Sequence, residues 1–264
     1  MAYEALEFSI ADGVAKIAFN RPDSFNALNR QMTDELLDTA YAIMGNPDVR
    51  CVLLTGAGDK AYCAGGDLSE FAKLDPAERR VHVNAMATQL HVAVAKFAWM
   101  DPPVIAAING VAAGAGISLA CCPDLAIAAD TSRFVSAYSA AGLTPDGSST
   151  WYLHRLIGYR RTMEMQITNR TLSAQEALDW GLINKVVPAA DLMSEAESLA
   201  RQLAQGPTKA YGGIKRMALT SFGETLESQL EQESRYIGDM MVTADAQEGI
   251  DAFLNKRKPG FQGR

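Results

Sequence analysis

The stretch Ile108-Asn-Gly-Val-Ala-Ala-Gly-Ala-Gly116 follows an apolar run and is built almost entirely from small residues. Its counterpart earlier in the chain is Ala61-Tyr-Cys-Ala-Gly-Gly-Asp-Leu68. Each stretch offers a turn in which a peptide N–H can point at a ligand unhindered by side chains. Two such N–H groups that converge on one oxygen form an oxyanion hole. The two stretches therefore predict such a site, provided that the fold brings them together.

A third stretch, Gly142-Leu-Thr-Pro-Asp-Gly147, contains the acidic residue Asp146. A carboxylate close to a polarised carbonyl can move a proton on the activated substrate. Taken alone, the same residues also fit a turn, or an N-cap before a helix that begins near Ser149. The residues by themselves leave both interpretations open.

Strands and helices alternate around these stretches. Predicted strands cover residues 14–20, 49–55, 104–108, 125–129 and 182–187; predicted helices follow Asn29, span residues 77–98, begin near Gly114 and Ser149, and follow the capping-box pattern Ser173-Ala-Gln-Glu176. The continuous apolar run in 49–55 favours a strand that is buried on both faces. We expect an α/β core over residues 1–200 and a helical part over residues 201–264.

Composition narrows the class of protein. The chain has 264 residues, a net charge of −7 and 48% hydrophobic residues, which is typical of a globular protein with a sizeable core. The acidic balance argues against nucleic acid as the main partner. The uncharged stretch 104–122 is nearly long enough to span a bilayer, but Asn109, Ser118 and several glycines interrupt it. We expect a buried strand and a buried helix there, and no membrane partner.

The cysteines and the N-terminal segment indicate the cellular compartment in which the protein is expected. The four cysteines are too few and too irregularly spaced for a disulfide framework or a zinc site. The segment from Met1 to Gly13 has no apolar run of the kind found in signal peptides. We therefore expect reduced and mostly buried cysteines, no bound metal, and a cytoplasmic protein.

Several motifs together resemble the crotonase superfamily, also called the enoyl-CoA hydratase/isomerase family. They are Asn20-Arg-Pro22 with Asn26-Ala-Leu28, residues 61–68, Pro103-Val-Ile-Ala-Ala-Ile-Asn-Gly110, residues 174–187, and Glu248-Gly-Ile-Asp-Ala-Phe253 with Lys256-Arg-Lys-Pro259. The resemblance implies a crotonase-type spiral of strand–strand–helix units and a helical C-terminal region, residues 201–264, used for trimerisation. It also implies an acyl-CoA thioester as substrate and a homotrimer or a dimer of trimers.

The resemblance also implies which residues act. The amides that match the family's oxyanion hole are those of Gly66 and Ala115. The residues that match positions around bound CoA are Ala27, Ala64, Asp67 and Leu68; Phe253 and Lys256 match a C-terminal CoA contact that can come from a neighbouring subunit. No cofactor is implied beyond the coenzyme A carried by the substrate.

The departures from the family pattern bear on the reaction. Hydratases of the family use two glutamates, and a gapless alignment from Asn109 puts Ser118 and Tyr138 at those positions. Neither side chain can serve as a carboxylate base. The phrase around Asp146 is similar to the ring-opening epoxyphenylacetyl-CoA isomerases, whereas residues 159–172 are similar to 4-chlorobenzoyl-CoA dehalogenases. In the dehalogenases, the residue matching Asp146 attacks the ring and a histidine matching His91 helps hydrolyse the aryl ester.

Three functional hypotheses follow. In the first, the protein is an acyl-CoA isomerase: Gly66 and Ala115 hold an enolate oxygen, Asp146 shuttles the proton, and Tyr138 shapes the acyl pocket. In the second, it is a hydrolytic 4-halobenzoyl-CoA dehalogenase in which Asp146 is the nucleophile and His91 the base. In the third, it binds acyl-CoA without catalysis, because both hydratase glutamates are missing.

Overall fold

Strands and helices alternate through residues 3–264, which are the residues that the computed structural model describes; residues 1 and 2 of the predicted core lie outside them. The strands are β1 (Leu6–Ala11), β2 (Val14–Phe19), β3 (Cys51–Gly56), β4 (Ala61–Cys63), β5 (Val104–Ile108), β6 (Val111–Ala113), β7 (Leu125–Ala129), β8 (Arg133–Val135), β9 (Leu172–Ser173) and β10 (Lys185–Val187). The helices are α1 (Arg30–Met44), α2 (Leu68–Phe71), α3 (Pro76–Trp99), α4 (Ala115–Cys121), α5 (Ser149–Leu156), α6 (Tyr159–Thr168), α7 (Ala174–Trp180), α8 (Leu192–Ala204), α9 (Thr208–Thr220), α10 (Leu226–Met241) and α11 (Ala244–Leu254).

Two sheets share these strands. The larger sheet has the order β1-β2-β3-β5-β7-β10, and all its pairs are parallel except the β1–β2 hairpin. The smaller sheet has the order β4-β6-β8-β9 and is parallel except at β8–β9. The chain visits the sheets in turn, so β3, β5 and β7 lie side by side in one sheet while β4, β6 and β8 lie side by side in the other. This repetition of strand, strand and helix confirms the predicted crotonase-type spiral.

Strand β3 shows why the predicted run was continuously apolar. Val52 and Leu54 belong to the main hydrophobic core with residues of α1 and α3, whereas Cys51 and Leu53 pack in a second core under α8. Successive side chains of a strand point to opposite faces of the sheet. Because helices cover both faces, every residue of β3 is buried.

Local signals agree with the predicted helix starts. The Asn29 side chain accepts a hydrogen bond from the Met32 N–H at 3.0 Å and caps α1, and Ser173 with Glu176 forms the predicted capping box of α7. One predicted strand is shorter than expected, since 182–187 is a strand only over β10. The Leu182 N–H instead donates to the Ala177 carbonyl at 2.8 Å and closes the end of α7.

The uncharged stretch 104–122 consists of β5, β6 and α4, all of which are largely buried, as expected. Among residues 3–264, no helix is both long enough and apolar enough to cross a bilayer. All four cysteines are free and buried, as predicted, and burial raises the pKa of the Cys51 and Cys63 thiols to about 12.

The C-terminal part is helical from α8 onward. The predicted boundary between residues 200 and 201 lies inside α8. The whole of this helix packs against the larger sheet and so belongs to the core. Helices α9, α10 and α11 follow it and bury few of their residues within the chain. A trimerisation role for this region stays a prediction.

Candidate active site

The two small-residue stretches lie together because they follow neighbouring strands. β4 and β6 are parallel, so the segments after Cys63 and after Ala113 leave the same edge of the smaller sheet. The contact between them is close: a Cβ atom added to Gly65 would lie 2.9 Å from the Ala113 carbonyl oxygen and 3.1 Å from the Ala115 nitrogen. Only a residue without a side chain permits this approach, and Gly65 also has a φ of +88°.

The same stretches orient the two predicted amides. The Leu28 N–H donates to the Gly65 carbonyl at 2.7 Å, and the Asp67 N–H donates to the Leu28 carbonyl at 2.9 Å. In this parallel bridge the N–H of the intervening Gly66 points away from Leu28. Ala115 is the first residue of α4, so its N–H has no acceptor within the helix. Both residues line one cavity.

Gly116 explains why the second stretch can approach β4. A Cβ atom at this position would collide with the carbonyl oxygen of Cys63. The glycine therefore lets α4 begin directly against the end of β4. The placement of the Ala115 amide depends on this contact between the two backbones.

Asp146 lines the same cavity and is half-buried. The Tyr138 hydroxyl donates a hydrogen bond of 2.5 Å to Asp146 Oδ1. Burial first, and then the negative charge of Asp146, raise the pKa of Tyr138 well above the usual value for tyrosine. The phenol therefore keeps its proton and remains a donor to the carboxylate.

The peptide group after Asp146 is hydrogen-bonded at both ends. The Ser118 hydroxyl donates to the Asp146 carbonyl oxygen at 2.8 Å. The Gly147 N–H donates to Nε2 of His91 at 3.0 Å. The sequence marks Ser118 only as a position without a carboxylate. Its contact with the loop before α5 that carries Asp146, the acid loop, could not be predicted from the sequence.

The cavity has a volume of about 410 Å³ and a mostly apolar wall. A pocket of this size and character suits a small organic group with a few polar contacts. Its side chains come mainly from α3 and from the loop before α5; they include Phe71, Met86, Leu90 and Leu143 as apolar members and Asn84, His91, Tyr138, Thr144 and Asp146 as polar ones. The apolar members give the cavity room for an acyl group.

The fold brings most of the predicted site residues to this cavity. Those that line it are Ala64, Gly66, Leu68, His91, Ala115, Tyr138 and Asp146. Ala27, Asp67, Phe253 and Lys256 do not line it. Phe253 is 83% exposed and borders a separate apolar groove between the C-terminal helices. A contact from Phe253 and Lys256 to CoA in a neighbouring subunit stays a prediction.

Asp67 and Ala27 stabilise the backbone around the Gly66 amide. Burial alone would raise the pKa of Asp67, but hydrogen bonds from Ser69 and Arg21 and the positive charge of Arg21 outweigh burial and lower it. The Arg21 guanidinium lies 2.9 Å from the Asp67 carboxylate and donates to the Ala27 carbonyl at 2.6 Å. The predicted site did not include Arg21. Its place in the motif Asn20-Arg-Pro22 was the sequence feature that could have pointed to it.

Known proteins with similar sequences and structures point to one family. The enoyl-CoA hydratase/isomerase family profile matches residues 9–264. The chain is 38% identical over 263 residues to a 1,2-epoxyphenylacetyl-CoA isomerase of Escherichia coli K12, with 97% of each chain covered. It is 40% identical over 222 residues to 4-chlorobenzoyl coenzyme A dehalogenase-2 of an Arthrobacter species, covering 84% of this chain and 80% of the relative. The crystal structure of an enoyl-CoA hydratase from Bacillus anthracis superposes with a TM-score of 0.93 at 32% identity, covering 99% of this chain and 100% of the other.

Proposed function

Because the chain belongs to the enoyl-CoA hydratase/isomerase family, we propose that it is an acyl-CoA isomerase with Asp146 as its proton shuttle. One observation carries this proposal. Within residues 3–264, a single carboxylate, that of Asp146, lines the cavity that also contains the amides of Gly66 and Ala115. One carboxylate beside an oxyanion site is sufficient for moving a proton between two carbons of one substrate.

The two amides supply the electrophilic part of the mechanism. They donate hydrogen bonds to the thioester carbonyl oxygen, which makes the α-carbon acidic and stabilises the enolate that forms when the α-proton leaves. Such donors matter most once the oxygen carries negative charge, and losing one typically costs ~100- to 1,000-fold in rate. The close contact of Gly65 with Ala113 and Ala115 supports a fixed spacing between the two donors.

Asp146 supplies the proton transfer. It takes the proton from the α-carbon and returns it to a carbon two bonds away, so the double bond moves and no atom is gained or lost. Tyr138 occupies Oδ1 as a hydrogen-bond donor, which leaves Oδ2 for the transfer. Ser118 and Tyr138 stand where the family's hydratases have glutamates, and this supports isomerisation over hydration.

The test is exchange of the α-proton in deuterated water, measured with a panel of aliphatic and aromatic CoA esters. We expect the wild-type chain to catalyse exchange and isomerisation with at least one ester. Asp146→Asn should lower both rates by about 100- to 10,000-fold, because a general acid–base group contributes on that order. Affinity for the CoA ester should survive. Unchanged turnover in Asp146→Asn would remove this proposal, and tight binding without any exchange would favour a non-catalytic acyl-CoA-binding protein.

A second candidate function is hydrolytic dehalogenation of a 4-halobenzoyl-CoA. The similarity to the Arthrobacter dehalogenase favours it, and Asp146 and His91 line the same cavity. Asp146 would displace halide from the ring, and water would then cleave the aryl ester. Against it, the Nε2 lone pair of His91 already accepts the Gly147 N–H. Halide release and a trapped aspartyl ester would support this function, and their absence would exclude it.

We propose further that residues 201–264 join chains into a homotrimer or a dimer of trimers. The support is the set of large apolar side chains that α10, α11 and the turn between them expose, which includes Leu226, Leu230, Ile237, Val242, Phe253 and Leu254. Light scattering of the full chain should give the mass of three or six copies, and a monomeric mass would contradict this. The four buried, free cysteines support a cytoplasmic location.

A further inference from the structure

One peptide group beside the catalytic cavity has unusual support. The peptide between Asp146 and Gly147 accepts a hydrogen bond from Ser118 Oγ on its carbonyl side and donates one to His91 Nε2 on its N–H side. A peptide group is planar and includes the Cα atoms of both residues. These bonds, together with those that the Ser149 N–H and hydroxyl donate to the same carbonyl oxygen at 3.3 and 3.2 Å, hold the orientation of the peptide plane and with it the position of the Asp146 Cα atom.

The contact with the Gly147 N–H determines which nitrogen of the His91 ring accepts a hydrogen bond. A backbone N–H can only donate, so Nε2 is the acceptor in this contact. The Nε2 lone pair is therefore occupied by the Gly147 N–H and holds the loop. His91 itself is exposed on α3, so the contact does not depend on burial of the ring.

Ser118 connects the acid to the oxyanion site. Its side chain is fully buried, and it lies three residues, slightly less than one turn, after Ala115 in α4. The hydroxyl therefore ties the acid loop to the helix that carries one of the two amides. Packing reinforces the connection, because a Cβ atom at Gly147 would lie 2.9 Å from Ser118 Oγ and 3.3 Å from Leu90 Cδ2.

We propose that His91 and Ser118 are positioning residues that orient the Asp146–Gly147 peptide and so aim the Asp146 carboxylate at the acyl group held by the two amides. The consequence for catalysis rests on the proposed isomerase function, whereas the orientation of the peptide does not. His91 then acts through the loop and does not act as a base. A misplacement of about 1 Å at a reacting group can cost on the order of 100-fold in rate.

Two substitutions separate this role from others. In His91→Gln, the side-chain oxygen is as many bonds from Cα as Nε2 is, so it can accept the Gly147 N–H. In His91→Asn, the oxygen corresponds to Nδ1 and falls short. Both replacements are neutral amides on an exposed helix position, so they differ mainly in reach. The readouts are kcat and KM for α-proton exchange, and hydrogen–deuterium exchange of the peptide fragment that contains Gly147.

We expect His91→Asn to lower kcat by about 10- to 100-fold with KM changed less than threefold, and to speed deuterium uptake at Gly147. His91→Gln should recover the larger part of both losses. Ser118→Ala should also lower kcat, and Ser118→Ala with His91→Asn should lower it less than the product of the single effects, because both contacts act on one peptide group.

Each other result has a definite meaning. Equal, wild-type behaviour of the Gln and Asn variants in both readouts overturns the proposal. Loss of kcat in both variants, with Gly147 still protected in His91→Gln, assigns His91 a proton-transfer role and also overturns it. If the wild-type chain exchanges no α-proton with any ester, the isomerase function fails, and deuterium uptake alone still decides whether His91 holds the loop.

Discussion

The two halves of the cavity are built in different ways. The amide half, residues 64–66 and 113–116, is held by backbone packed against backbone, with glycine at the closest contacts. The acid half, residues 137–148, is held by hydrogen bonds with side chains of α3 and α4 and with Tyr138. An added methyl group should therefore destroy the first half, whereas the second should tolerate any side chain that keeps the same hydrogen bond.

Backbone conformation shows the same contrast. In the amide half, the residues with positive φ are Gly65 and Gly114, for which this region is accessible. In the acid half, Ala137 and Ser148 also have positive φ, at +61° and +87°. Non-glycine residues in this region cost free energy and often occur at functional sites. The acid half thus carries strain that the amide half avoids.

Among the substitutions that test this contrast, Gly116→Ala should have the largest effect. The added Cβ would collide with the Cys63 carbonyl oxygen, so α4 and the Ala115 amide must shift. We expect a rate loss of about 100- to 1,000-fold and a decrease of about 1–3 kcal/mol in the free energy of unfolding. Steady-state kinetics and urea denaturation measure both. Gly45→Ala is the matched control, since the Cβ atom added there would lie 3.5 Å from its nearest neighbour, an ordinary contact. Equal rates and equal stabilities of the two variants would contradict the contrast between the halves.

Tyr138→Phe tests the acid half. It removes the 2.5 Å hydrogen bond to Asp146 Oδ1 and leaves the ring in place. We expect kcat to fall by about 10- to 100-fold, with a smaller change in KM, because the carboxylate loses its alignment. Tyr159→Phe, at a residue that is 70% exposed, should leave the kinetics unchanged. A wild-type kcat in Tyr138→Phe would mean that Tyr138 only fills space.

The pH dependence of stability tests the ion pair between Asp67 and Arg21 beside the amide half. The pKa of Asp67 is lowered in the folded chain, so its ionised carboxylate stabilises the fold above the unfolded pKa of about 3.9, and this stabilisation is lost as pH falls through the folded value. Asp67→Asn keeps an N-cap residue for α2 but loses the ion pair with Arg21. We expect it to lower the free energy of unfolding by about 1 kcal/mol at pH 7 and less at pH 3.

Denaturation at the two pH values measures this effect. Asp34→Asn is the control, because its ion pair with Arg30 is about half exposed and should contribute less. A loss of stability in Asp67→Asn that is equal at pH 7 and pH 3 would show that the ion pair is not its source.

The smallest effect should be a gain. Ala137→Gly removes the cost of a positive φ at +61°, and this should exceed the extra flexibility of glycine in the unfolded chain. We expect the free energy of unfolding to rise by about 0.5–1 kcal/mol, as measured by urea denaturation. A decrease would show that the Ala137 methyl group contributes more by packing than its backbone costs.

Much of the fold could be predicted because its signals are local. Asn29 and Ser173 marked helix starts, and the apolar run of β3 indicated a strand covered on both faces. The short strands β4, β6, β8 and β9 of the smaller sheet and strand β1 were not predicted. Strand β10 is shorter than expected, since Leu182 closes α7 instead of extending the sheet. The oligomeric role of the C-terminal helices and the roles of the site residues stay predictions.

The sequence by itself determined the family, the spiral of strand–strand–helix units and the glycines of the amide half, because a close approach of two backbones requires residues without side chains wherever it occurs. Only the tertiary structure decided which groups His91, Ser118 and Tyr138 contact. These residues come from three separate parts of the chain and meet at one loop. The partner of a hydrogen bond depends on where distant elements pack, and no local pattern of residues encodes that.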